Sequence, residues 1–331
     1  MFEKILLPLD GSAMAERTVP HAIEFANIFD SKIFVLQVLD SEASADVSVQ
    51  DGPLKWQLHK AKTELYLHKI ANQIRAALNQ PELEDESDRE GRVVVTLLDG
   101  KVAESIVDYA HKEEVDLLII SSHGSSGLSR WNLNSITTKV VSLIYKSTLI
   151  IRGYTIEEEE SLRPRYGRIL LPIDCSLRSE CSLTAAAIIA KKCQSHLILS
   201  SVIKPPEINV LDPHNEELQA LNAQYLDLSR KTAQRYLEEL SQRVGVDNEI
   251  HVIESNSVVQ AIIDQANDAK VDLLVFCAHG HTGESSWPFG AVARSFIEYS
   301  TRPILVIQDL TPADIHPIGV AKKTESIRSR D

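Results

Sequence analysis

Cysteine is scarce and one-sided in this sequence. The four cysteines among 331 residues, Cys175, Cys181, Cys193 and Cys277, all lie in the second half, with no C-x-x-C pair among them. That pattern suggests neither a disulfide framework nor a zinc site, so the four are expected to be small buried hydrophobes. Positive charge is short as well: 34 Lys and Arg stand against 47 Asp and Glu, a formal net charge of -13. A general nucleic-acid binder or a protein held on an anionic membrane needs the opposite balance, because Lys and Arg must neutralise phosphate in both cases. One local phosphate pocket stays compatible with this charge. Long apolar runs are missing at the N-terminus, where MFEKILLPLDGS offers only the five residues Ile5 to Leu9 before Asp10. Such a run is too short for a signal-peptide core or a bilayer span, and the expectation is a cytoplasmic protein.

What is present is a globular composition, 44% hydrophobic and 24% charged, with length for about two domains. The length is used twice. KILLPLDGS from Lys4 to Ser12 returns as RILLPIDCS from Arg168 to Ser176, an offset of 168 − 4 = 164 residues. VDLLIISSHGSSGLSRWNLNS from Val115 to Ser135 returns as VDLLVFCAHGHTGESSWPFGA from Val271 to Ala291, an offset of 156, which also relates Val102, Ile106, Val107 and Ala110 to Val258, Ile262, Ile263 and Ala266. Repetition in order and chemistry across a whole half means duplicated domains.

Each copy switches between short apolar runs and helical spacing, the signature of strands alternating with helices around a parallel sheet. In the first copy the strands are read at Ile5 to Leu9, Ile33 to Leu39, Val93 to Leu98, Leu117 to Ile120 and Leu149 to Ile151. One helix carries Val19, Ala22, Ile23 and Ala26 on its apolar face, and a long helix carries Leu54, Leu58, Ala61 and Leu65 at steps of four, three and four. A later helix begins near Ser135. Leu, Val and Ile fill the strands without alternation, as in sheets covered on both faces. The fold class is therefore α/β, a doubly wound domain repeated, with domains at 1–152 and 168–310. Residues 153–167, which include the acidic run Glu157 to Glu160, read as a solvated linker, and 311–331 as a polar tail.

The repeated loop passes from a buried strand through His-Gly and a second glycine to the start of a helix. A helix start presents unpaired N–H groups and the positive end of its dipole, and glycine lets a ligand approach the backbone, so the loop suits an anion. By itself it also suits an ordinary turn.

With these motifs in place the chain resembles a tandem universal stress protein over both copies. In that family the opening strand ends in Pro-x-Asp, here Pro8 and Asp10, and Pro172 and Asp174. Nucleotide-binding members carry Gly, two residues, Gly, nine residues, Gly, then Ser or Thr. The resemblance implies five parallel strands in the order 3-2-1-4-5 in each half, ATP or a related nucleotide in some members, and pairing of last strands. The nucleotide contacts it implies are Pro8, Asp10, Val38, Gly124, Gly127, Arg130 and Ser135 in the first half, and Pro172, Asp174, Val202, Gly280, Gly283 and Gly290 in the second. Given that strand order, ligands belong at the carboxyl ends of strands 1 and 4, where the order reverses.

Both copies depart from the motif. The three glycine positions hold Ser121, Gly124 and Asn134 before Ser135, and Cys277, Gly280 and Gly290 before Ala291. Asn134 suits a helix N-cap, whereas Gly290 suggests positive φ or close backbone approach. Ala291 brings no hydroxyl to a phosphate. Arg130 offers an anion a charge-assisted fork, while its counterpart is Ser286, with Glu284 nearby. Asp10 and Asp174 suit either a ligand's donors or their own turns. His123, His279 and His281 lack second metal ligands at sensible spacing, and Trp131 and Trp287 read as packing anchors.

Three functions follow as expectations: a non-catalytic signalling protein that binds an adenine nucleotide such as ATP in at least one copy, an empty stress scaffold, and an adenine nucleotide α-hydrolase. The third lacks its S-G-G-x-D-S, H-I-G-H and K-M-S-K-S signatures. A protein partner is expected, without identity. The uncharged last strands, Leu149 to Ile151 and Ile304 to Ile307, are expected to pair within one chain as a pseudo-dimer, with further homo-oligomers open. A linker of 15 residues, spanning up to roughly 50 Å, permits it.

Overall fold

In a computed structural model the described residues are 1–40, 52–80, 91–123, 133–152, 164–206, 215–281 and 287–310. The first half runs β1 (Lys4–Pro8), α1 (Ala13–Glu16), α2 (Thr18–Phe29), β2 (Lys32–Asp40), α3 (Gly52–Ala77), β3 (Val93–Gly100), α4 (Val102–Lys112), β4 (Leu117–Ser121), α5 (Ser135–Leu143) and β5 (Ser147–Ile151). The second runs β6 (Arg168–Pro172), α6 (Cys181–Cys193), β7 (His196–Ile203), α7 (Glu216–Val244), β8 (Asn248–Glu254), α8 (Val258–Asp268), β9 (Leu273–Cys277), α9 (Ala291–Tyr299) and β10 (Ile304–Ile307).

All these strands form one ten-stranded sheet in the order β3-β2-β1-β4-β5-β10-β9-β6-β7-β8. Each half is parallel with the order 3-2-1-4-5, and β1 pairs with β4 as β6 pairs with β9. Between the halves β5 and β10 pair antiparallel, Leu149 opposite Leu305 and Ile150 opposite Ile304, all four fully buried. The expected pairing of last strands within one chain is thus the seam of the sheet. It converts two exposed, aggregation-prone edges into its centre.

One core layer gathers Phe25 of α2, Leu67 of α3, Leu183 of α6 and Leu237 of α7 on one face. The other gathers Ile106 of α4, Val140 of α5, Ile262 of α8 and Phe296 of α9. Both layers run across the seam. Arg152, just past β5, crosses it too: near the C-terminal end of α9 its guanidinium donates to the Ile297 carbonyl (2.5 Å) and to the Phe296 carbonyl (3.3 Å), which also accepts the Ser300 N–H. Burial lowers its pKa to about 10.

Three expectations need correction. Leu54, Leu58, Ala61 and Leu65 of α3 face solvent, and the helix is buried through Leu67, Ile70, Ala71 and Ile74. The 26 residues of α3 extend about 39 Å, against about 26 Å for the eight residues of β3, so only the later turns overlie the sheet. Tyr166, read as linker, is core: it is 2% exposed, packs edge-on against Phe25, and stands 2.5 Å from His21 Nδ1. The cysteines are not uniformly buried, since only Cys277 is, with Cys175, Cys181 and Cys193 half-buried.

Candidate functional site

Pro8 and Pro172 end β1 and β6, and Val38 and Val202 lie near the carboxyl ends of β2 and β7. The chain leaving β1 is fixed by Leu9 N–H on the Leu36 carbonyl (2.8 Å), and the chain leaving β6 by Ile173 N–H on Ser200 (2.8 Å). Asp10 and Asp174 follow at once. Each begins a turn: Ser12 N–H donates to Asp10 Oδ1 at 2.9 Å, and Ser176 N–H to Asp174 Oδ1 at 3.1 Å. The next residue is left-handed in both halves, Gly11 at φ +78° and Cys175 at φ +59°. Ser12 then caps α1, and the Ser176 hydroxyl accepts from Ser179 N–H.

The chains leaving β4 and β9 come back to the same end of the sheet. Asn134 N–H donates to Ser122 O at 3.0 Å, and Gly290 N–H to Ala278 O at 2.9 Å, so the starts of α5 and α9 sit beside the ends of β4 and β9. Asn134 accepts from Thr137 N–H at 2.6 Å, the expected cap. Ser135 follows it, exposed, as the first residue of α5. Gly290 has no side-chain cap and an ordinary φ of -67°, so positive φ is not its reason. Close approach is: an added Cβ would meet the Ala278 carbonyl at 3.3 Å. Gly124, Gly127, Arg130, Trp131 and Gly283 lie outside the described residues, as do Glu284 and Ser286.

In the second half the two motifs touch. Asp174 Oδ2 accepts the His281 N–H at 2.6 Å, and a Cβ on Gly280 would fall 2.2 Å from that oxygen. Gly280 is therefore where the loop after β9 passes over the carboxylate that ends β6. Burial alone would raise the Asp174 carboxyl, but hydrogen bonds from the Ser176 hydroxyl and the His281 and Ser176 N–H groups outweigh it and hold the pKa below its usual value. Three of roughly four lone-pair directions on this carboxylate are engaged by the protein's own donors.

His279 and His123 are buried within the protein's own hydrogen bonds. His279, 1% exposed, has Nδ1 2.8 Å from Asp309 Oδ1 and Nε2 2.9 Å from the Trp287 carbonyl, leaving neither nitrogen for a metal. Asp309 also receives the Arg178 guanidinium. Burial would raise its carboxyl, yet these two partners hold it below the usual value. The network ties the ends of β6, β9 and β10 together. His123 is likewise buried, 2.8 Å from the Ser122 hydroxyl. Among the described residues no group of three or more His, Cys, Asp or Glu is placed to hold a metal. Trp287 is no buried anchor: it is 51% exposed, with the Arg294 guanidinium 6.0 Å from its ring, and Phe289 (2%) takes the buried place.

Two hollows lie away from these crevices. One of about 970 Å³ flanks the open strand β3 and is lined by Phe34, Arg75 and Tyr109 among others; one of about 320 Å³ lies between α5 and α9 against Leu133, Val141 and Pro288. Neither contains Asp10 or Asp174. No described helix is long and apolar enough to cross a membrane.

The chain matches the model of the universal stress protein family over residues 1–152 and 165–308. Two universal stress proteins of Methanocaldococcus jannaschii are similar to it, one 28% identical over 166 residues and one 24% over 152; each alignment covers 46% of this chain, and 96% and 83% of the respective relative. Each relative is thus about one half of this chain in length. The crystal structure of a universal stress protein from Archaeoglobus fulgidus, 17% identical, superposes over 93% of this chain and 98% of its own with a TM-score of 0.64, a likeness of fold.

Proposed function

The chain belongs to the universal stress protein family, and on that premise we propose that it is a cytoplasmic, non-catalytic stress-response regulator that binds ATP or a related adenine nucleotide in the crevice of its first half and alters a protein partner's contacts when it does. The observation that carries this reading is the convergence, at the reversal of strand order, of Asp10 with the start of α5 and its exposed Ser135. A hydroxyl beside unpaired helix N–H groups suits a phosphate, and a carboxylate across the crevice suits an amino or hydroxyl donor on the nucleoside. The second half is the poorer site. Ala291 replaces the hydroxyl that Ser135 brings to the start of α5.

The bonds that Asp174 accepts from Ser176 and His281 favour a second reading, in which the second half, or the whole chain, is a nucleotide-independent scaffold. Mass spectrometry of the native protein as isolated separates the two. A retained adenine nucleotide that is lost in Asp10→Asn supports the first reading; recovery of none, together with no uptake of added ATP, supports the scaffold. A hydrolytic step is assigned to neither reading, and release of ADP or AMP from bound ATP would bring the α-hydrolase alternative forward.

A further inference from the structure

Cys181 opens α6 and Cys277 ends β9, 96 residues apart in sequence, and their sulfurs stand 2.8 Å apart as free thiols. Packing holds them there: Leu183, Ala186 and Ile189 of α6 share the core layer with Leu273 and Val275 of β9. The sulfurs need approach by less than an ångström to reach the ~2.05 Å of a disulfide. The other two cysteines face oxygen instead. Cys193 lies 3.9 Å from Glu24, and burial together with that carboxylate raises its thiol to about 11; Cys175 lies 3.5 Å from the Ser201 hydroxyl and is raised by burial. The repeat supplies no such pair in the first half, where Arg17 and Ser121 occupy the corresponding places.

We propose that Cys181 and Cys277 are a peroxide-sensitive modification site that closes to an intramolecular disulfide, tying the start of α6 to the end of β9 beside the second crevice. Half-buried Cys181 meets the oxidant first, since Cys277 is only 8% exposed. Its sulfur attacks one oxygen of hydrogen peroxide and the O–O bond breaks. One oxygen stays as the Cys181 sulfenic acid, and the other leaves with the thiol's proton as water. The Cys277 sulfur then attacks the Cys181 sulfur, the S–O bond breaks, and the departing hydroxide takes the Cys277 proton as a second water. Two thiols and one peroxide become one disulfide and two waters, the sulfurs losing the two electrons that the peroxide gains. The Cys277 thiol, held protonated by the Cys181 contact and by burial, gives up its proton only in the second step. The proposal concerns the sulfurs alone and stands whether or not either crevice binds nucleotide.

The test treats the reduced full-length chain with hydrogen peroxide, counts thiols after denaturation and maps the peptides. The expected result is a fall from four thiols to two, a Cys181–Cys277 cross-linked peptide, loss of the mass of two hydrogens, no cross-link between chains, and reversal by dithiothreitol. The oxidised chain should melt several degrees higher, as a long closed loop predicts. Cys181→Ser should abolish the cross-link. Should that variant not fold, the Cys175→Ser, Cys193→Ser chain decides alone, because its two remaining thiols must disappear together. Survival of all four thiols, oxidation to sulfonic acids without a cross-link, or a bridge through Cys175, Cys193 or a second chain would overturn the proposal.

Discussion

Single residues at the crevices do different work under similar sequence. Gly11 answers to backbone conformation: its φ is +78° and an added Cβ would meet nothing within 4 Å. Gly11→Ala should therefore cost only about 1 kcal/mol in denaturant unfolding, through strain alone. Gly280 answers to space, because its Cβ would collide with the Asp174 carboxylate. Gly280→Ala should cost about 1–3 kcal/mol by displacing that carboxylate from the His281 N–H, and much less in an Asp174→Ala background. Additive costs in that double-mutant cycle would mean the contact is not what requires glycine. His21 gives a pH signature. Burial lowers its pKa to about 4 from the usual 6.5, so the folded ring stays neutral, paired with the Tyr166 hydroxyl, over a range where the unfolded ring gains a proton. The unfolded state then binds more protons, and stability should fall as pH drops from about 6.5 to about 4, by up to ~3 kcal/mol, with no effect above that window. Urea midpoints of wild type and His21→Phe across that range would show it; parallel curves would refute it.

At the scale of elements, the strands were legible because buried parallel strands are unbroken runs of Val, Ile and Leu, and because the repeat gave every element a second reading, whereas their order was implied by the family resemblance alone. The faces of the long helices were not. Leu54, Leu58 and Leu65 have the spacing of a core stripe, yet helical periodicity says only that residues share a face, and the helix outruns the strand it packs on. In α7 likewise Leu221, Tyr225 and Leu228 are exposed while Ala233, Leu237 and Leu240 are buried. The candidate site was half legible. Pro-x-Asp and the Asn134 cap could be read from local sequence, whereas the Asp174 to His281 bond, the His279–Asp309–Arg178 network and the Cys181–Cys277 contact join distant residues with no local pattern. Arg152 is another such case, and it yields a prediction at this scale. Arg152→Met keeps the stem but removes the donor to the Ile297 carbonyl, while the Phe296 carbonyl keeps the Ser300 N–H, and should lower stability by about 1–2 kcal/mol in urea unfolding. An unchanged midpoint would show that α9 does not depend on the arginine.

The whole molecule is one sheet whose former edges form its middle, so the chain meets its own need for pairing at β5 and β10. Among the described residues the outer edges left are β3 and β8, and β8 carries Glu249 and Glu254, charges that discourage further strands. The duplication also lets the halves diverge: the first keeps a hydroxyl at the start of α5, while the second has Ala291 and the cysteine pair. The central claim, a nucleotide site in the first half alone, is tested most directly by calorimetric titration of ATP into the full-length chain and into Asp10→Asn, Ser135→Ala and Asp174→Asn, each confirmed as folded. The account predicts one site per chain, weakened about tenfold or more by Asp10→Asn and by Ser135→Ala, as loss of a ligand hydrogen bond of about 1.4 kcal/mol would do, and unchanged in Asp174→Asn. Absence of binding in the wild type, or binding that Asp174→Asn removes and Asp10→Asn leaves intact, would contradict it.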